Sequence, residues 1–382
     1  MFLRLYHMLP SHGSRGLLRY HAGTCAKSNR APFPTRQESR IGLNTETGQE
    51  IILSSYRLSF TMKLNIVNVS VALASLAGSA LAGAVYTLSD NIVGEGFYSS
   101  FNFEAIPDPT DGRVTYVNQS TAQMLNLTYS TSNTFIMRAD DTTVLTPSGP
   151  GRNSVRIRSN SQYTQHVVVF DMQHMPEGCG TWPAVWETNE SNWPAGGEVD
   201  IVEGVNNVEP NQSTLHTSPN CTMPDSTTQL GTTVSTNCDT AVDGNSGCGV
   251  QLTEDYNSFG PGFNSINGGW YAMERTNSYI QVWFWERDDV SAPFDATTGA
   301  SSIDTNLWGT PAAYFPNTDC DLASHFDANN IIINLTFCGD WAGNSAVYAA
   351  SGCPSDCVTY VDNNPTAFTN AYFQFSSINV YT

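Results

Sequence analysis

Lysine disappears from this chain after Lys63. Between residues 85 and 382 the only fixed cations are seven arginines, set against 32 acids, a formal charge of −25. So acidic a body repels phosphate backbones and anionic membranes, which excludes a nucleic-acid partner and suits a neutral one. Long apolar runs are equally scarce. The one example, residues 66–84, approaches the ~20 residues of a membrane span but is diluted by Ala, Ser and Gly. No stretch beyond Tyr86 carries a convincing helical period, so a helical bundle is excluded. From Tyr86 onward there is no proline-rich or charged linker, no internal repeat and no low-complexity tract, which argues for one domain. Cys353 and Cys357 have a zinc-like spacing but face no second Cys or His pair. The acids of residues 239–245 lack the D-x-D-x-D-G calcium spacing. No metal and no cofactor is expected.

What is present at the N-terminus reads as export. Met62 and Lys63 open a short charged start, residues 66–84 are apolar, and Ala82-Gly83-Ala84 is a small-x-small cleavage site. Residues 62–84 are therefore read as a signal peptide, residues 1–61 as a leader that extends the gene upstream of its true start, and residues 85–382 as the mature protein. The alternative keeps Met1 and uses residues 66–84 as a membrane anchor. Cysteine usage agrees with an extracellular location. Cys25 lies in the leader, and the other eight cysteines allow 105 pairings, among which the sequence does not choose. Beyond residue 84 six N-x-Ser/Thr acceptors begin at Asn118, Asn126, Asn189, Asn211, Asn220 and Asn334, so N-glycans are expected on those that reach the surface.

Short runs rich in Val, Ile, Thr, Tyr and Phe alternate with Gly, Pro, Asn and Asp turns. Residues 154–158, 166–172, 279–286, 331–337 and 371–381 are examples. The pattern predicts an all-β, antiparallel β-sandwich.

One of these runs is unlike the rest. Gly196-Gly197-Glu198-Val199-Asp200-Ile201-Val202-Glu203-Gly204 sets three acids inside a β-branched segment. Residues two apart share a strand face, so Glu198 and Asp200 point the same way and Glu203 the other. One extra residue, a β-bulge, would return Glu203 to the acidic face. Carboxyls so close cannot all ionise easily, and their protonation becomes coupled. Alone, the string also fits a solvated strand. Trp182, Trp186 and Trp193, all within sixteen residues of Glu198, weigh against that, because a solvated surface rarely carries such flat apolar faces. Thr214-Leu215-His216-Thr217 reads as the next strand, which returns His216 to within a residue or two of Asp200.

Gly180-Thr181-Trp182-Pro183-Ala184-Val185-Trp186, followed by Glu198-Val199-Asp200-Ile201-Val202-Glu203-Gly204-Val205-Asn206, resembles glycoside hydrolase family 16, most closely its fungal laminarinase-like endo-β-1,3(4)-glucanases. Similarity continues through Leu215-His216-Thr217, Gly262-Phe263-Asn264, Tyr271-Ala272-Met273-Glu274, Val282-Trp283-Phe284-Trp285 and the segment from Leu335 to Gly343. The resemblance implies a concanavalin-like β-jelly roll with a concave substrate cleft. It implies Glu198 as nucleophile, Glu203 as acid and base, and Asp200 as the residue that tunes them. It implies substrate contacts from Trp186, Trp193, His216, Trp341 and Arg156, while Arg158 is read as solvated. Arg275 departs from the pattern, an aromatic residue being expected there, and leaves one wall of the cleft open to question. The expected partner is a β-glucan polysaccharide, met by a monomer. Two alternatives use the same face: a cell-wall transglycosylase and a glycan-binding protein without catalysis.

Overall fold

The computed structural model describes residues 85–382. The expectations for residues 1–84, leader, signal peptide and anchor alike, lie outside the described residues. Among the described residues no helix is long and apolar enough to cross a membrane.

Two antiparallel sheets face each other. The back sheet has nine strands, its central ones running in the order Val85–Ile92, Tyr372–Tyr381, His166–His174, Gly269–Arg275, Tyr279–Glu286. The front sheet has eight, ordered Thr232–Thr233, Cys248–Gln251, Gln212–His216, Glu198–Glu203, Thr181–Thr188, Asn330–Phe337, Arg156–Ser159, Phe101–Phe103. This is the expected jelly roll. The segment read as one strand over 154–158 is broken at Val155. Arg152–Ser154 leaves the front sheet to pair in parallel with Val114–Tyr116, and Arg156–Ser159 stays in it.

Alternation explains which faces meet. Val168, Phe170 and Met172 of one back strand, Tyr271 and Met273 of the next, and Val199, Leu215, Ile331 and Ile333 of the front sheet fill the space between the sheets. Each fully buried side chain of this kind contributes roughly 1.5–3 kcal/mol. The opposite face of the back sheet is covered too. Val167, Val169, Trp283, Trp285 and Trp308 form a second apolar layer there. That is why these back strands read as nearly continuous apolar runs. Trp283 and Trp285 are thus structural, stacked at 6.4 Å and each meeting Trp308 edge-on.

Arg275 belongs to this interior and not to a cleft wall. It is buried between the sheets, donates to the carbonyls of Asp327 and Tyr163, and lies 3.9 Å from Glu187, whose other oxygen pairs with His166 at 2.8 Å. The departure from the family pattern therefore changes a buried polar cluster and leaves the front face untouched.

All eight described cysteines are bridged, as Cys179–Cys353, Cys221–Cys320, Cys238–Cys248 and Cys338–Cys357. Of the six glycosylation motifs, Asn118, Asn126 and Asn220 are exposed, whereas Asn211 and Asn334 are buried and closed to modification.

Candidate active site

The acidic strand carries the bulge that its spacing demands. Against the neighbouring strand Thr181–Thr188, Asp200 is opposite Trp186 and Val202 is opposite Val185, so two steps on one strand match one step on the other. Ile201 and Val202 both turn into the core, and Glu203 emerges opposite Ala184 on the face of Glu198 and Asp200. A bulge leaves backbone groups without ladder partners. Asn211 supplies them. Its Oδ1 accepts from the Glu203 N–H at 2.9 Å, and its Nδ2 donates to the Ile201 carbonyl at 3.0 Å. Ser213 Oγ donates to the same carbonyl at 2.9 Å. Asn211 reads in sequence as a sugar acceptor, and in the fold it is the clamp of the bulge.

Each glutamate is held by an indole. Trp193 Nε1 donates to Glu198 Oε2 at 2.8 Å, and Trp182 Nε1 donates to Glu203 Oε1 at 2.8 Å. Trp182 was not among the expected contact residues, although it stands in the flank that carries the resemblance. It also receives Trp341 edge-on at 5.6 Å. Trp341 sits in the one-turn helix Gly339–Ala342, immediately after a front-sheet strand. Trp193 is 44% exposed and follows the short turn Glu190–Asn192. Trp186 lies beside Asp200 across the sheet. Its Nε1 donates to Asn334 Oδ1 at 2.7 Å, and the Arg156 guanidinium lies 5.0 Å over its ring. Arg156 itself is buried, with ion pairs to Glu104 at 2.8 Å and Glu190 at 2.5 Å. Arg158, read as solvated, is drawn into the same network by Glu104 at 2.9 Å. The front face thus gathers all of the expected residues around the three acids, and adds Trp182, Asn334, Glu104 and Glu190.

His216 registers opposite Glu198, and its Nε2 lies 3.4 Å from Asp200 Oδ2. Burial works against its charge, but Asp200, Glu198 and Glu203 raise its pKa to about 10, so it is held as an imidazolium. Donor atoms of Glu198, Asp200 and His216 lie within 4.8 Å of one another. An imidazolium has no free lone pair for a cation, so the group is better suited to sharing protons than to holding a metal.

Burial and the charge of Asp200 push Glu198 and Glu203 up to about 8, against which the indole N–H groups and His216 act. Both carboxyls are thus held well above the ordinary carboxylate range, with Asp200 acting on each and His216 standing directly across from Glu198.

These shifts make a stability prediction. A carboxyl whose pKa is raised on folding stabilises the fold below its ordinary value of 4.5 and loses that contribution as pH rises through about 8. Relative to wild type, Glu198→Gln and Glu203→Gln should gain melting temperature progressively between those limits and show no gain near pH 4. Parallel melting curves for wild type and variants across that range would contradict the raised values.

A family model described as XgeA-like, catalytic GH16 domain matches residues 101–381. Laminarinase 16A from Phanerochaete chrysosporium, solved with 6-O-glucosyl-laminaritriose in both donor and acceptor sites, is 61% identical with a TM-score of 0.78, the match covering 78% of this chain and 100% of that one. An elongating family 16 β-1,3-glucosyltransferase is 36% identical with a TM-score of 0.72, again over 78% of this chain and 100% of its own. A probable endo-1,3(4)-beta-glucanase of Neosartorya fischeri is 44% identical over 306 residues, 78% of this chain and 45% of that protein. The chain spans about half the length of the first curated relatives it matches. With the catalytic-domain match running across nearly all of both sheets, the chain belongs to glycoside hydrolase family 16.

Proposed function

We propose that this chain is a secreted, retaining endo-hydrolase of β-1,3- and mixed β-1,3/1,4-glucans. The observation that carries the reading is the clamped bulge, which puts Glu198, Asp200 and Glu203 on one face of one strand with an indole N–H on each glutamate. In the first step a Glu198 oxygen attacks the anomeric carbon. The bond to the leaving oxygen breaks, and that oxygen takes the Glu203 proton. In the second step Glu203, now a carboxylate, takes a proton from water as the water oxygen attacks the same carbon and Glu198 departs. Two inversions give net retention. Asp200 and His216 form a charge pair beside the two reacting carboxyls, whose raised pKa values let one glutamate carry a proton that the other gives up. The neutral, hydroxyl-rich polymer also suits the strongly acidic body.

The linkage preference rests on the similar laminarinase and glucanases. Laminarin should be cleaved best, mixed-linkage β-glucan should also be cut, and products should be oligosaccharides released from within the chain. A reducing-sugar assay checks this. Equal or better release from agar, carrageenan or chitin would overturn the substrate assignment, and no release from any of them would favour a binding protein. Export is supported by the Met62–Ala84 pattern and the four disulfides. It is tested by N-terminal sequencing of secreted protein, which should begin near Val85.

One observation favours a second reading. The similar glucosyltransferase has the same fold over the same 78% of this chain. The acids serve either reaction, since only the acceptor differs. Product sizing with excess laminari-oligosaccharide separates them, because transfer gives products longer than the substrate.

A further inference from the structure

We infer that Asn245, on the loop closed by the Cys238–Cys248 disulfide, is a positioning residue that seats His216 against the catalytic carboxyls. Its amide Oδ1 lies 3.0 Å from His216 Nδ1. The opposite ring nitrogen is the one turned toward Asp200. An imidazolium donates from both nitrogens, so the amide oxygen is the group that Nδ1 requires. Asp200 Oδ2 makes no well-aligned hydrogen bond of its own, and the 3.4 Å contact to His216 is its closest cation. The angle of the imidazole therefore decides how much positive charge the acids receive, and Asn245 is the contact that fixes this angle from behind.

A second contact from the same loop supports the assignment. Gly247 packs so closely on the ring that a Cβ there would stand 2.8 Å from His216 Cε1 and 2.6 Å from the Leu215 carbonyl. The loop thus touches the imidazole at Nδ1 and at Cε1. It is short and doubly tethered. Cys238 and Cys248 close it, and the Ser235 Oγ–H donates to the Gly247 carbonyl at 2.8 Å. Asn245 holds φ of +65° and Gly247 φ of +64°. Asn and Gly are the residues that adopt this left-handed conformation with least cost. The charged groups facing the ring are Glu198, Asp200 and Glu203. The loop's Asp239 is turned to its own backbone, accepting from the Ala241 N–H.

This inference uses the proposed roles of the acids, but its central contact can be read without turnover. Asn245→Gly deletes the amide and keeps the backbone conformation. Asn245→Asp keeps an acceptor and also tolerates positive φ. In protein with 15N-labelled histidine, Asn245→Gly should shift the His216 Nδ1 resonance and lower the pH at which the ring titrates, whereas Asn245→Asp should leave the ring charged. On laminarin, Asn245→Gly should lower kcat about tenfold or more with a smaller change in KM, the scale expected when a catalytic group is displaced. Asn245→Asp should recover most of that loss. Replacing both Cys238 and Cys248 by Ser should reproduce the Asn245→Gly defect, and combining the two should add little, because both release the same ring. An Asn245→Gly enzyme with kcat within twofold of wild type and an unmoved His216 resonance would overturn the inference. So would an Asn245→Asp enzyme as slow as Asn245→Gly. A moved resonance combined with no glucanase activity in wild type would instead count against the proposed reaction and leave the positioning contact standing.

Discussion

Glu198→Gln should leave a folded protein that no longer turns over β-1,3-glucan. The amide preserves the hydrogen bond from Trp193 Nε1 and the shape of the strand, so the fold has no reason to fail. It cannot supply the carboxylate that forms the glycosyl ester. The expected loss is on the order of 10⁴–10⁶-fold, the scale seen when a covalent nucleophile is removed from a working constellation. A smaller side chain sharpens the test. Glu198→Gly opens a space below the anomeric carbon, and added azide should attack there directly. One displacement inverts, so the product should be the α-glycosyl azide. Recovery of the β-anomer from this variant would show that Glu198 is not the nucleophile.

Glu203→Gln or Glu203→Ala fails differently. A natural glucan has a poor leaving group that must be protonated as it departs. Removing that acid typically costs ~10²–10⁴-fold. A substrate with an activated leaving group needs no such proton, so its first step should survive and the glycosyl-enzyme should accumulate. Azide then intercepts the intermediate from the opposite face, and two displacements give the β-glycosyl azide. The two variants together assign the acids by stereochemistry. Equal loss of Glu203→Ala on activated and natural substrates would refute the acid role.

Much of this arrangement was readable before any coordinates. Period-two alternation put Glu198 and Asp200 on one face, and the odd offset of Glu203 required a bulge. The return strand brought His216 to the acids. The β-sandwich followed from short β-branched runs between turns. The rest was hidden for physical reasons. Asn211 and Ser213, which satisfy the bulged backbone, read locally as a glycosylation motif, since nothing in an N-x-S string reveals that its amide faces inward. Asn245 lies 29 residues from His216, and a bridge unpredictable among 105 pairings closes the loop that carries it. Arg275 departs from the family pattern that its neighbours carry, which leaves its wall open to question in the sequence. Its parity with Tyr271 and Met273 sends it instead into the interior, toward Glu187. Arg158 looked solvated because its partner Glu104 is remote in sequence.

The placement of chemistry and recognition on different kinds of backbone has an evolutionary consequence. The three acids sit in the middle of an eight-stranded sheet, where a one-residue deletion at Val199 would turn Glu198 and Asp200 to opposite faces. Trp193 and Trp341 stand on connections instead, after a short turn and in a single helical turn. Insertions and substitutions there leave the strand that carries the three acids in place and reach the carboxyls only through the indoles of Trp193 and Trp182. The scaffold therefore separates what can drift from what cannot. A hydrolase and a glycosyl-transferring enzyme built on it need differ only in the loops.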